Sequence, residues 1–318
     1  MKAIILVGGF GTRLRPLTLS VPKPLLPLAN IPMVERMILN LPDVFDTAIL
    51  AVNYGLNEMI EYFQTKNLNK KIIIVPEKKP LGTGGAIRNC LKYITGTTAV
   101  FNGDVVSSLN LKNMLEFHSK NKARGTLALW EVNDPSRFGV VKLKNNKILQ
   151  FQEKPSKGEE VSNLINAGTY LLEPEIIERI PPKQKISIER DIYPKIAGNK
   201  LYGFPFKGYF IDTGTPSSYL EANIKLIEKN GTASHNGASI RGPVLIHESS
   251  NLQDCIIGPN TIIGPNVKLE KCVIRESVIL SYVKGYGGVI EESIIGPKIS
   301  FDSDHKRTLI SPEGKMNF

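Results

Sequence analysis

The sequence predicts an α/β fold: a mixed, mainly parallel sheet flanked by helices, followed by a short parallel β-helix. Three observations carry this. Short β-rich runs alternate with helical stretches over residues 1–110. An aliphatic residue then recurs about every sixth position between Ala238 and Ser300. A glycine-rich turn, Gly8-Gly9-Phe10-Gly11, directly follows the first apolar run. Strand–helix alternation implies right-handed βαβ units and a sheet covered on both faces, whose ligands collect beyond the carboxyl ends of the strands.

In chain order, the strands of the first part are Lys2 to Val7, Ala48 to Val52, Ile72 to Val75 and Ala99 to Asn102. The helices between them are Met33 to Asn40, Asn57 to Gln64 and Gly84 to Lys92. A helix from Leu111 to Lys122 precedes a β-rich stretch: Gly125 to Glu131, Phe138 to Leu143, Ile148 to Gln152 and Thr169 to Leu172. Pro216 to Glu228 reads as a helix with Tyr219, Ala222, Ile224 and Ile227 as its apolar positions, ended by Asn230-Gly231. Ile240, Ile246, Leu252, Ile257, Ile263 and Leu269 then mark the six-residue rhythm, with Gly-Pro-Asn at both 258–260 and 264–266. Short β-runs broken at that interval build a triangular coil that stacks turn on turn. The spacing slips between Leu252 and Ile257 and blurs after Cys272, so three coils are predicted, with a polar, loose tail from Asp302. A stack this short exposes an end and an apolar flank, which predicts a homo-oligomer formed through it.

Composition narrows the function classes. The chain has 318 residues, 42% hydrophobic and 22% charged, enough for one large and one smaller domain of a soluble protein. Its formal net charge of +10 favours anionic partners. No Lys/Arg block or basic-aromatic interleaving points to nucleic acid, and no apolar segment reaches membrane-spanning length. Cys90, Cys255 and Cys272 are odd in number and far apart, which disfavours disulfides and structural zinc and suits a reducing cytoplasm. His118, His235, His247 and His305 sit in unrelated contexts, so chemistry built on histidine is disfavoured.

The turn after the first strand is the strongest functional signal. Successive backbone N–H groups of a glycine turn face one concavity, and Arg13, Arg15 and Lys23 add full positive charge; the expected guest is a polyanion. It is not a Walker A loop, because Thr12 and Arg13 follow Gly11 where Lys and Ser/Thr are needed. It is not the dinucleotide fingerprint either, because Leu14 stands where the third glycine belongs. Pro80-Leu81-Gly82-Thr83-Gly84-Gly85 is a second glycine-rich turn into a helix, suited to a flat ring on bare backbone or to an ordinary turn. Glu77 just upstream is able to accept from a base N–H. Asn102-Gly103-Asp104 ends a buried strand, where a carboxylate is placed either to hold Mg²⁺ or simply to make a turn. Glu153 and Lys154, adjacent on a strand, point to opposite faces unless the strand ends at Pro155; without further context they read as solvated hairpin residues.

Taken in order, Gly8 to Leu17 and Pro22-Lys23-Pro24-Leu25 resemble the signature of the sugar-phosphate nucleotidyltransferases, or nucleotide-sugar pyrophosphorylases. The likeness continues through Pro80 to Gly85, Asn166-Ala167-Gly168-Thr169-Tyr170 and a tail similar to the left-handed β-helix of hexapeptide-repeat proteins. It implies a Rossmann-like nucleotidyltransferase domain over 1–230, a hexapeptide β-helix over 236–300 and a polar tail over 301–318. It also implies that NTP and a hexose 1-phosphate give NDP-sugar and pyrophosphate; the nearest likeness is to members using GTP and mannose 1-phosphate. Glucose 1-phosphate with dTTP, UTP or ATP is the alternative, as is a non-catalytic nucleotide-sugar-sensing subunit.

The site residues that the resemblance implies are these. Leu6, Gly8, Gly9, Gly11, Thr12, Arg13, Glu77, Pro80, Gly82 and Thr83 meet the nucleotide. Gly139, Glu153, Lys154 and Asn166 meet the sugar phosphate, and Arg13 and Lys23 carry the catalytic charge. Asp104 and Asp212 coordinate magnesium; the family's tryptophan two places before the second aspartate is here Phe210. A hexapeptide acyltransferase would need a supported catalytic histidine, and His247 has none; a dinucleotide-dependent oxidoreductase would need the missing third glycine.

Overall fold

A computed structural model describes residues 1–229 and 235–318. The predicted helix end at Asn230-Gly231 lies outside the described residues. Two compact units result: Met1–Gly9 with Met37–Phe210, and Phe10–Arg36 with Ile211–Phe318.

The first unit is built on a nine-stranded sheet. Its strand order is Lys71–Pro76, Thr47–Val52, Lys2–Leu6, Thr98–Asn102, Leu164–Leu172, Gly125–Glu131, Leu201–Pro205, Lys147–Glu153, Gly139–Lys144. The first four run parallel, as strand–helix alternation dictates. Beyond them Leu164–Leu172 pairs antiparallel with both its sheet neighbours, so the sheet is mixed. Thr47–Val52 is buried along its whole length, as expected of a central strand with helices on both faces. Helices Leu56–Gln64, Gly82–Asn89 and Leu111–Lys120 flank the sheet; Asn110 caps the last, its side chain accepting from Asn113 N–H at 3.1 Å. The core joins Ile4, Ile49, Val100, Leu127, Leu129, Tyr170 and Tyr193. Near one edge, Trp130 stacks with Phe210 at 6.5 Å, and Phe138 meets Phe210 edge-on at 6.3 Å. Phe210, in the place of the expected tryptophan, thus belongs to an aromatic cluster.

The second unit contains helix Pro216–Ile227 and a stack of short parallel strands in three sheets. The predicted positions fall in register: Ile240 on Ile257, Ile246 on Ile263 and Leu252 on Leu269. All six face an interior shared with Cys255, Cys272, Val283 and Phe301. The blurred rhythm after Cys272 has a geometric cause. Ile240 meets its partner seventeen residues on, whereas Ile263 meets Ile279 only sixteen on, so one corner has lost a residue while the stacking persists. The stack consequently extends past the three predicted coils. The expected loose tail is also corrected: His305–Lys306 and Thr308–Ser311 continue it, and Gly314–Asn317 folds back antiparallel on Thr308–Ser311. Leu309 is fully buried, which anchors a segment whose polar residues suggested disorder. Among the described residues no helix is long and apolar enough to cross a membrane.

Candidate active site

In the first unit, four parallel strands end together and deliver their following residues to one rim. Val7 N–H bonds to the Ala51 carbonyl at 3.0 Å, Glu77 N–H to Val52 at 2.8 Å and Gly103 N–H to Leu6 at 3.0 Å. Leu6, Gly8, Glu77 and Asp104 are thereby gathered at the carboxyl edge of the sheet, where a doubly covered sheet leaves space for a ligand. Gly9 is exposed, and a methyl group there would meet nothing within 4 Å. Glu77 is half-buried and one of its oxygens accepts Leu81 N–H at 2.9 Å. Burial raises its pKa, against the opposing effect of that hydrogen bond.

The turn from Pro80 to Gly85 does more than present bare backbone. Gly84 and Gly85 N–H both donate to the Ile186 carbonyl, at 2.9 and 3.2 Å, and Ile186 N–H donates to Leu81 at 2.8 Å. Gly82 has φ +69°, and a Cβ there would lie 2.6 Å from the Ile186 oxygen. Only glycine fits, because the 184–188 segment lies directly on the turn. Thr83 donates its hydroxyl to Glu189 at 2.6 Å. Pro80 stays exposed.

The segments assigned to the sugar phosphate meet in the same unit. Gly139 pairs with Glu153 across two antiparallel strands; a Cβ on Gly139 would lie 2.9 Å from the Glu153 carboxylate. The strand ends at Glu153, and Lys154 turns with φ +51°, which brings its Nζ to 4.0 Å from Glu153. The bend resolves the opposite-face problem posed by two adjacent strand residues. Burial raises the Glu153 pKa, helped by the charge of Glu189 and opposed by Lys154 and Arg190. Asn166 donates to the Tyr170 hydroxyl at 2.9 Å and accepts Gly168 N–H at 3.0 Å.

The rest of the signature belongs to the second unit. Gly11, φ +62°, opens the tight turn Thr12–Leu14, and the Thr18 hydroxyl donates to its carbonyl at 2.9 Å. Leu14 and Leu17 are fully buried and anchor the turn, while Thr12 and Arg13, just before Leu14, are exposed. The Arg13 guanidinium lies 3.7 Å from Asp212, and Gly214 leaves room for it: a Cβ there would be 2.3 Å from Arg13 Nη2. Arg13 is 60% exposed, so this pair contributes little to stability. Lys23 is 7% exposed, its stem against Gly11. The following hairpin is stitched down by side chains distant in sequence. Tyr219 donates its hydroxyl to Pro27, Asn223 accepts Ala29 N–H at 2.9 Å, and Asn30 donates to the Ile263 carbonyl at 3.0 Å.

Sequence reading missed the stretch 173–200 altogether. Its short apolar runs give neither period clearly, because Ile188–Ile192 is a wide helical turn leading into the four-residue helix Tyr193–Ile196. Glu189 lies within it, 9% exposed.

Comparisons with known proteins identify the family. Residues 2–229 match the nucleotidyl transferase family model, and residues 240–306 match a model described as the GMPPB C-terminal domain. Mannose-1-phosphate guanylyltransferase 1 of Arabidopsis thaliana is 39% identical over 93% of this chain and 86% of its own length. The mannose-1-phosphate guanylyltransferase of Mycobacterium tuberculosis is 35% identical over 87% and 80%. Among solved structures, HddC from Yersinia pseudotuberculosis, also determined in complex with GMP-PN, superposes with a TM-score of 0.61 at 33% identity. The match spans 71% of this chain and 99% of HddC. The chain belongs to the nucleotidyl transferase family, that of the sugar-1-phosphate nucleotidyltransferases its opening signature resembles.

Proposed function

We propose that the protein transfers GMP from GTP to mannose 1-phosphate, releasing pyrophosphate and forming GDP-mannose. The observation that carries this is the likeness to mannose-1-phosphate guanylyltransferases over nearly the whole length of both chains, β-helix included. A phosphate oxygen of the sugar phosphate attacks the α-phosphorus in line, and the bond to the β-phosphate oxygen breaks. The reaction needs no covalent enzyme intermediate, so the protein positions groups and neutralises charge.

Each residue then has a role suited to its chemistry. Leu6, Gly8, Gly9, Gly11 and Thr12 receive the nucleotide along the signature turn, and Arg13 balances charge on the departing pyrophosphate. Lys23 and Lys154 hold the α- and sugar phosphates. Glu77, Pro80, Gly82 and Thr83 define the base pocket, with Gly82 acting through the shape of the turn. Gly139, Glu153 and Asn166 read the sugar hydroxyls, Glu153 as the acceptor-only carboxylate. Among the described residues no cluster of three or more His, Cys, Asp or Glu could hold a metal ion. Asp104 and Asp212 are the hard carboxylates proposed to hold Mg²⁺, an ion that takes one or two carboxylates together with substrate phosphates and water. When bound, the ion would supply positive charge to the reacting phosphates.

A nucleotidyltransferase domain over 1–230, a β-helix domain from 236 that runs on past 300, a reducing cytoplasmic setting and a homo-oligomer through the β-helix form part of the same proposal. Exposed Ile256, Tyr282 and Tyr286 on the stack support the last. One experiment tests the activity: pyrophosphate release with GTP, ATP, UTP and dTTP, each against mannose 1-phosphate and glucose 1-phosphate. The expected result is a kcat/KM highest for GTP with mannose 1-phosphate. Preference for glucose 1-phosphate with another nucleotide would overturn the substrate assignment. Nucleotide-sugar binding without turnover would instead identify a sensing subunit.

A further inference from the structure

Glu189 is a buried carboxylate without a role in the scheme above, and its surroundings are unusual for one. Hydroxyls hold it: Thr83 at 2.6 Å and Ser187 at 2.7 Å on one oxygen, Tyr170 at 3.4 Å on the other. Tyr170 accepts from Asn166, and Thr83 also accepts Ile188 N–H at 3.0 Å. Thr83 opens the helix behind the base loop, while Asn166 lies in the sugar segment. The two are far apart in sequence, and their link through Glu189 is two side-chain steps long on the sugar side and one on the base side. An ionised carboxylate accepts from all these hydroxyls at once without a donor of its own to place, so each proton is pointed inward and each hydroxyl fixed.

We propose that Glu189 is a positioning residue that ties the base loop to the sugar loop, so that binding of either substrate depends on the arrangement of both. This deepens the proposed function and rests on its assignment of Thr83 to the nucleotide and Asn166 to the sugar phosphate. Coupling between two such sites commonly amounts to about fivefold or more in affinity.

The test is a set of single variants of the full chain: Thr83→Val, Asn166→Ala, Tyr170→Phe and Glu189→Gln, with Glu189→Asp as the conservative control. For each, KM is measured separately for GTP and mannose 1-phosphate, alongside kcat and the thermal midpoint. Thr83→Val is expected to raise the KM for GTP and Asn166→Ala that for mannose 1-phosphate; if neither does, the subsite assignment fails. The inference concerns the crossed effects. Thr83→Val should also raise the KM for mannose 1-phosphate by about fivefold, and Tyr170→Phe that for GTP, with Glu189→Gln raising both and Glu189→Asp partly restoring them. If own-substrate effects appear and crossed effects do not, the link is overturned while the function stands.

A pH profile separates positioning from mere folding. Glu153, whose carboxyl is raised by burial and then by Glu189, is also faced by Lys154 and Arg190. Removing the Glu189 charge makes Glu153 easier to ionise, so Glu189→Gln should move the acid limb of kcat/KM for mannose 1-phosphate to lower pH. A fall in thermal midpoint with unchanged KM values and an unmoved acid limb would show a structural role only. Should Glu189→Gln fail to fold, the Thr83→Val and Tyr170→Phe crossed effects decide the matter alone.

Discussion

The two glycine-rich turns look equivalent in the sequence and are packed in opposite ways. At Gly9 the space a side chain would fill is open, and Thr12 and Arg13 stand exposed just before buried Leu14. At Gly82 to Gly85 the space is taken: the Ile186 carbonyl receives two of the turn's amides and would collide with a methyl on Gly82. Glycine at position 9 leaves the backbone uncovered, where the nucleotide is proposed to lie. In the second it lets another part of the chain come close. Glycine richness alone therefore does not identify a ligand cradle; what occupies the missing Cβ position does.

The charged partner of the open turn provides the largest expected effect. Asp212 faces Arg13 and is proposed to hold magnesium. Asp212→Asn keeps the shape and removes the charge, so kcat should fall by about a thousandfold, with the thermal midpoint nearly unchanged. Activity titrated against Mg²⁺ checks it. Turnover close to that of the unsubstituted protein at every magnesium concentration would take Asp212 out of the metal site and weaken the reading of the open turn.

The filled turn makes a stability prediction instead. Gly82→Ala places a β-carbon in the left-handed region and against the Ile186 carbonyl, which together should cost about 3 kcal/mol. For a unit of this size that lowers the thermal midpoint by roughly 10 °C. A midpoint within a degree or two of the original would mean that the 184–188 segment does not lie on the turn in solution.

Arg13→Ala returns to the open turn. Its charge is exposed and contributes little to folding, but it is proposed to act as negative charge grows on the pyrophosphate. The expected loss is about a hundredfold in kcat, equivalent to about 2.7 kcal/mol of transition-state stabilisation. Pre-steady-state measurement of pyrophosphate release distinguishes this from slow product loss; a variant within a few-fold of the original would refute the role.

What the sequence made legible follows the same division. Central strands such as Thr47–Val52 announce themselves because burial on both faces demands an unbroken apolar run. The signature turn is legible because its residue order is specific. Glu153 and Lys154 were paired by resemblance alone, and their proximity depends on the left-handed turn at Lys154, which pattern does not encode. The final coils were obscured because the spacing between stacked partners falls from seventeen residues to sixteen and then to fifteen, and Leu309 was hidden in a polar context. Glu189 left no local trace at all. Its partners Thr83 and Tyr170 are respectively 106 and 19 residues away, and a lone glutamate in an aperiodic stretch looks like surface.

The smallest effect is the sharpest test of the contrast. Gly9→Ala adds a methyl group where nothing lies within 4 Å and where φ is not in the left-handed region, so folding stability should change by less than about 0.5 kcal/mol. If the open space belongs to a triphosphate, the same methyl must displace it or hold it away from the turn's amides, weakening charge-assisted hydrogen bonds that need close approach. The KM for GTP should then rise by roughly tenfold, or about 1.4 kcal/mol, while that for mannose 1-phosphate moves little. Isothermal titration with a non-hydrolysable GTP analogue reads the binding loss directly, independent of chemistry. A variant of unchanged stability and unchanged nucleotide affinity would show that the open position faces only solvent. The difference between the two turns would then be one of crowding and not of function.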